Sequence, residues 1–295
     1  MKVKARCPAS CGELLQGWIA GSEKLISYPI NWYSEVTIET SELNQTFFQN
    51  TRHLKVWQAF YQTCSFLGID KRNIPSVSLR VTSTIPIAKG MASSTADIAA
   101  TCIATAHLFG YSLTSPLLAK ICLLIEATDS TIFPSLTLFD HLQGNTIEET
   151  FWEPNFDVLI LEPLEKLSTD KFRKVNHQVI LKQQAKAMDQ AYLLFKQAVA
   201  EKSIAKLGLV ATISAKENQR ILPKKRFQEL LMIVEENDLL GINVAHSGTV
   251  IGLMYDRQKM NSQKLLSLLE EENILVDYPC HHFCQSTQGG ATILS

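Results

Sequence analysis

The sequence predicts an α+β protein in two domains, the first over residues 1–152 and the second over residues 153–295. Three observations carry this prediction. The chain has 295 residues and a hydrophobic content of 46%, enough for two packed units of ordinary size. Strand-like and helix-like periods alternate in the second half, the pattern of one sheet with helices on one face. The apolar run FDVLIL at 156–161 reads as a buried strand, and the domain boundary is placed just before it, at 150–155.

Residues 2–7 and 34–40 read as strands; in the second, Val36 and Ile38 share one face and Glu35, Thr37 and Glu39 the other. Residues 53–67 have a helical pattern, with Trp57, Phe60, Tyr61 and Cys64 recurring at spacings of three and four. Residues 77–81 alternate as a half-buried strand. Residues 93–109 predict a helix with Ile98, Cys102, Ile103 and Ala106 on one face and Gly110 as its stop. Thr114, Ser115 and Pro116 start the next helix, a hydroxyl cap followed by proline, and that helix is expected to run to about residue 127. The second half predicts helices at 177–201, 224–237 and 262–271, and strands at 249–255, 274–279 and 291–294.

Lys and Arg together number 28 and Asp and Glu 29, for a formal net charge of −1. With no basic block, nucleic acid is not expected as the main partner. The opening stretch MKVKARCPASCGELLQG has basic residues but no apolar run behind them, so no secretion signal is expected there. The most apolar window, SPLLAKICLLIEAT, is broken by Lys120 and Glu126 and reads as a buried helix, not a membrane span. Seven cysteines, an odd number, read as reduced thiols in the cytoplasm. The oligomeric state is left open, a homodimer included.

One stretch carries chemistry, IPIAKGMASSTADI at 85–98. It turns from a strand through Lys89 and Gly90 into a helix beginning near Ser93. A helix N-terminus presents unpaired N–H groups and the positive end of the dipole, so anions bind there without a Walker sequence. Gly90 removes a Cβ where a phosphate would approach, Lys89 adds charge, and Ser93, Ser94 and Thr95 add hydroxyls for capping or for a magnesium ion. The same residues would serve an ordinary turn with a serine cap. Two further stretches bear on the choice: RCPASCGEL at 6–14, and AHSGTVIGL at 245–253. A zinc site at CHHFC (280–284) or at Cys7 and Cys11 is disfavoured, because the spacings are those of neither a ribbon nor a finger.

In order and spacing the three stretches resemble the motifs of the GHMP kinases. Met91, Ala92 and Thr95 depart from that family's usual Gly-Leu-Gly-Ser-Ser-Ala but keep small residues near the phosphates. Within the superfamily the sequence most resembles the L-threonine kinases of cobalamin biosynthesis, through CPASCGELLQGWI (7–19), SEKLISYPINWYS (22–34), EATDSTIFPSLTLFDH (126–141) and AHSGTVIGL (245–253). The resemblance implies an N-terminal domain like domain 2 of ribosomal protein S5, a ferredoxin-like C-terminal domain, and a ligand cleft between them. It implies ATP and Mg2+ as cofactors, L-threonine as acceptor, and O-phospho-L-threonine as a precursor of the aminopropanol linker of cobalamin. Another acceptor such as homoserine, or a catalytically silent ligand sensor, would share the same ATP motif.

By resemblance, Pro86, Lys89, Gly90, Met91, Ala92, Ser93, Ser94 and Thr95 bind the nucleotide, and Ser94 and Glu126 bind the metal. Asp129 orients or deprotonates the acceptor hydroxyl. The homoserine kinase branch works without such a residue, so that role stays open, with Asp140 as the second candidate. Ser10, Cys11 and Glu13 face the acceptor, Glu13 toward its ammonium group, and Ser247, Gly248 and Thr249 close over phosphates and substrate.

Overall fold

A computed structural model of the chain describes residues 1–40, 51–167 and 172–294. Its first feature is one long antiparallel hairpin, β1 (Lys2–Ile19) with β2 (Ser22–Thr40). The sequence shows only the outer ends of this hairpin, where polar and apolar residues alternate. From Cys7 to Gly17 every residue of β1 is buried, so the period-two signal disappears where the strand is most enclosed. Register shifts fall between Pro8 and Ala9, Ser10 and Glu13, and Glu13 and Leu15. The first motif therefore sits on an irregular strand that redirects its side chains.

Among the described residues the sheet has ten strands. β3 (Val77–Ser83) pairs with the far end of β2; β4 (Thr137–Phe139) pairs with its near end and with β5 (Ile147–Glu149). On the other side Glu13 of β1 pairs with Val244 of β7 (Gly241–Val244). From β7 the sheet continues through β8 (Ile251–Tyr255) and β6 (Asp157–Glu162) to β9 (Cys280–Gln285). β10 (Thr292–Leu294) returns to pair with Lys4–Arg6 of β1. The pairings are antiparallel throughout.

In the first half, α1 (Thr51–Phe66), α2 (Ser93–Leu108) and α3 (Ser115–Leu123) pack together, with α2 lying on β1 and β2. In the second, α4 (Gln178–Glu201) and α5 (Ile204–Asn218) pack on β1 and on each other. α6 (Phe227–Glu236) and α7 (Ser262–Glu271) bury their leucines in a second cluster with β7 and β8. Strand β6 serves both clusters: Val158 and Ile160 enter the larger one, Leu159 and Leu161 the smaller. Burial on both faces is why residues 158–161 are a continuous apolar run.

Several expectations are corrected. The helix after Thr114 ends at Leu123, four residues short of the expected end, and Thr114 makes no side-chain cap bond. The stretch 274–279 is no strand: Ile274–Val276 forms a 3-10 turn, and the strand begins at Cys280. Helix α5 was not expected. Lys202 breaks the preceding helix in the left-handed region (φ 50°), and Ser203 caps the new one by accepting from Lys206 N–H. Its mixture of glycine, β-branched and small residues hides the helical period.

Candidate active site

The three motifs, far apart in sequence, touch one another. Ser10 N–H donates to Met91 O (3.2 Å) and Thr249 N–H to Lys89 O (2.9 Å). His246 N–H donates to the Glu13 carboxylate (2.5 Å). A Cβ on Gly90, whose φ is +82°, would fall 2.4 Å from Ala245 Cβ; one on Gly248 would fall 2.1 Å from Lys89 O. Both positions require glycine because two backbones meet there. Gly90 thus turns its bare Cα toward the third motif.

Helix α2 is entered through Ala92 in the left-handed region (φ 54°), with no side-chain cap. Its first internal bond runs from Ala96 N–H to Ala92 O (2.8 Å). The amides of Ser93, Ser94 and Thr95 precede that bond and form the positive helix end. The hydroxyls are not spent on capping. Ser94 Oγ donates to Glu126 Oε2 (2.9 Å), and the same carboxylate oxygen takes Lys55 Nζ from α1. Glu126 lies just beyond the end of α3.

Thr95 is buried, and its Oγ1 accepts from Asp129 N–H (3.5 Å). Asp129 is half-buried. Burial raises its pKa to about 6, helped by the charge of Glu126 and opposed by His246, Arg173 and the Thr95 hydroxyl. Glu13 is buried, and its pKa is raised well above the carboxylate range by burial and by Asp129, against the His246 N–H bond and the charge of Lys224. Lys224 donates to Gly248 O (2.6 Å); burial lowers its pKa to about 7 despite the pull of Glu13. Three titratable groups with displaced protonation preferences, Asp129, Glu13 and Lys224, are the electrostatics of a proton-handling site.

Beside these groups lies a cavity of about 620 Å³, whose wall includes Glu23, Asp140, Phe172, Arg173, His177 and His246. Lys55, Lys224 and Arg173 belong to no motif of the sequence, whereas Glu23 lies in SEKLISYPINWYS, His141 at the end of EATDSTIFPSLTLFDH and His246 in AHSGTVIGL, none of them with a role the motifs predict.

The other expected residues lie as follows. Pro86 is half-buried at the turn and Met91 is buried. Lys89 is buried and held by Glu162 (3.2 Å) and the Pro163 carbonyl, so its charge is balanced inside the protein. Cys11 lies in the core, its carbonyl taking the Asn243 amide; burial pushes its thiol up to about 12. Ser10 is buried and its Oγ has no hydrogen-bond partner. The Thr249 hydroxyl donates to Glu165 O (3.1 Å). Gly248 stands between the second motif and Lys224, and Ser247 is half-buried beside it. Asp140 accepts from Leu142 and Gln143 N–H (3.2 and 3.0 Å), as the pivot of a turn.

The GHMP kinases N terminal domain family matches residues 54–133. The L-threonine kinase of Citrobacter freundii is 42% identical over 294 residues, covering 98% of this chain and 99% of that protein. The L-threonine kinase of Salmonella typhimurium is also 42% identical, covering 98% and 95%. The crystal structure of homoserine kinase from Cytophaga hutchinsonii superposes with a TM-score of 0.75 at 15% identity, covering 99% of this chain and 97% of that one. Shared fold, motifs that meet at one helix end, and identity along nearly the full length agree: the chain belongs to the GHMP kinases, in the family of these L-threonine kinases.

Proposed function

We propose that the chain transfers the γ-phosphoryl group of ATP to the hydroxyl of free L-threonine, giving ADP and O-phospho-L-threonine. The observation that carries the acceptor is the 42% identity, over 98% of the chain, to two L-threonine kinases. The geometry supports the donor side. Phosphoryl transfer passes through a loose transition state in which positioning and charge stabilisation do most of the work. The amides of Ser93, Ser94 and Thr95 supply the charge-stabilising helix end.

Ser94 Oγ and Glu126 Oε2, 2.9 Å apart, are hard oxygen donors of the kind Mg2+ takes in small number beside phosphates and water. They fit the ion. When bound, it neutralises charge on the phosphate oxygens. Lys55 balances the charge of Glu126. Asp129 accepts the acceptor's hydroxyl proton. With its pKa near 6, it is ionised at neutral pH and more basic than an ordinary carboxylate. Arg173, in the cavity wall, offers a cation to the acceptor's carboxylate, and Glu13 a carboxyl to its ammonium group. Lys224 and Glu13 hold the third motif over the site through Gly248 O and His246 N–H.

In this reading residues 1–152 carry the nucleotide and residues 153–295 complete the acceptor side. The product's use in the cobalamin linker belongs to the same proposal. Among the described residues no helix is long and apolar enough to cross a membrane; we place the enzyme in the cytoplasm, acting on free amino acid with neither nucleic acid nor membrane as partner. Coupled ADP release with L-threonine, L-serine, L-homoserine and mevalonate tests the reading. L-threonine should give the highest kcat/KM. Preference for homoserine would overturn the acceptor, and ATP binding without turnover on any acceptor would make the chain a sensor.

A further inference from the structure

Three side chains in the wall of the cavity form a cluster that the phosphoryl-transfer reading does not use. Glu23 comes from the start of β2, His141 from the loop after β4, and His246 from the third motif. One ligand atom from each lies within 4.8 Å of the other two. Glu23 Oε1 is 3.3 Å from His246 Nε2 and 3.6 Å from His141 Nε2.

The protonation pattern is set from outside the cluster. Gln16 Nε2 donates to Val244 O (3.1 Å), and Gln16 Oε1 accepts from Asn218 Nδ2 (3.3 Å). The Gln16 oxygen therefore faces His246 Nδ1, at 2.7 Å, and Nδ1 is the nitrogen that carries the proton. In the neutral ring this leaves the Nε2 lone pair pointing at the Glu23 carboxylate, acceptor against acceptor. A cation between them resolves the conflict. A metal-ligating histidine held through its other nitrogen by an oxygen acceptor is the usual arrangement.

His141 is the independent observation. Its side chain is 2% exposed and neither ring nitrogen has a hydrogen-bond partner. A protonated His246 paired with Glu23 would satisfy those two groups and leave His141 orphaned; a shared cation uses all three.

The backbone at each position is fixed. His141 O accepts from Thr128 N–H (3.1 Å) and His246 N–H is held by Glu13. Donors bound at about 2.0–2.1 Å in a tetrahedron lie roughly 3.3 Å apart. The two separations to Glu23, 3.3 and 3.6 Å, are close to that edge, and the third lies within 4.8 Å.

We propose that Glu23, His141 and His246 bind a divalent transition metal of the zinc class, with a fourth coordination position open to the cavity. Two imidazoles and one carboxylate select such a metal over magnesium or calcium. The site is separate from the Ser94–Glu126 oxygen pair and does not rest on the identity of the acceptor.

The test uses the full-length chain, dialysed free of metal and then titrated with Co2+ and Zn2+. Wild type should take up one Zn2+ per chain, show cobalt d–d absorption of a low-coordinate site, and give a zinc X-ray absorption edge with a nitrogen and oxygen shell and no sulfur. Glu23→Gln and His141→Asn should each weaken binding by about a hundredfold or more. His281→Ala, in the CHHFC stretch, should leave it unchanged. A folded wild-type protein that takes up no metal overturns the proposal. So does a sulfur shell, which would place the metal at Cys280 or Cys284, or affinity that survives both cluster variants. The wild-type spectra decide even where a variant fails to fold.

Discussion

Ser94 Oγ donates a 2.9 Å hydrogen bond to Glu126 Oε2, across 32 residues of sequence. This bond joins the N-terminus of α2 to the chain just beyond α3. The oxygen that accepts it also takes Lys55 from α1. Three elements of the first half thus fix one hydroxyl and one carboxylate at a positive helix end, with the carboxylate charge already balanced.

Ser94→Ala should lower kcat by about a hundredfold or more, the cost of removing one preorganised group at a developing charge. Loss of the bond to Glu126 should cost only about 1 kcal/mol of stability. Steady-state ADP release and urea denaturation on the same preparation separate the two effects. A variant with normal kcat would show that the pair is structural.

Asp129→Asn should reduce turnover by about 10²–10⁴-fold. In wild type, kcat/KM should fall as pH drops through about 6, where Asp129 takes up its proton, and the residual activity of Asp129→Asn should lack that limb. The stability effect has the opposite sign. A carboxyl whose folded pKa is raised makes the fold bind more protons than the unfolded chain, so its ionisation destabilises the fold as pH rises from about 4 to about 6. Asp129→Asn should therefore stabilise the protein at pH 8, on the order of 1–2 kcal/mol, with the gain vanishing near pH 4. Thermal melts at both pH values check the sign.

Gly248→Ala should destabilise by about 2 kcal/mol or more and reduce activity, because the new Cβ would lie 2.1 Å from Lys89 O, a backbone atom. The loop must shift away from the nucleotide motif to admit it. A melting temperature and kcat/KM equal to wild type would show that the two motifs are not packed as described.

Lys224→Met removes the 2.6 Å bond to Gly248 O and the positive charge beside Glu13. With the third motif untied, KM for the acceptor should rise about tenfold, the equivalent of roughly 1.4 kcal/mol. The Glu13 pKa should move higher still, visible by carboxyl-labelled NMR. Unchanged KM would assign Lys224 to the fold alone.

Legibility from the sequence followed burial. The half-buried strand at Val77–Ser83 and the helices at Thr51–Phe66, Ser93–Leu108 and Ser262–Glu271 show their periods plainly. The inner part of β1 does not, because both its faces are covered. Helix α5 was hidden by its composition, although its Ser214 and Asn218 hold Gln16 in place. At the site, Ser94, Glu126 and Asp129 could be matched through local motifs, and the structure brings them together. Lys55, Lys224 and Arg173 lie outside those motifs, and Glu23, His141 and His246 lie inside such stretches but meet only in the fold. Lys89 shows the converse: its place in the motif suggested a phosphate contact, while its neighbours in space, Glu162 and Pro163, hold its ammonium group.

The central claim is tested most directly by identifying the product. Wild type incubated with L-threonine, ATP and Mg2+ should form O-phospho-L-threonine in a one-to-one ratio with ADP, followed by 31P NMR and mass spectrometry, and Ser94→Ala should form it at least a hundredfold more slowly. ADP without phosphothreonine, or a phosphorylated product formed faster from homoserine, would contradict the account.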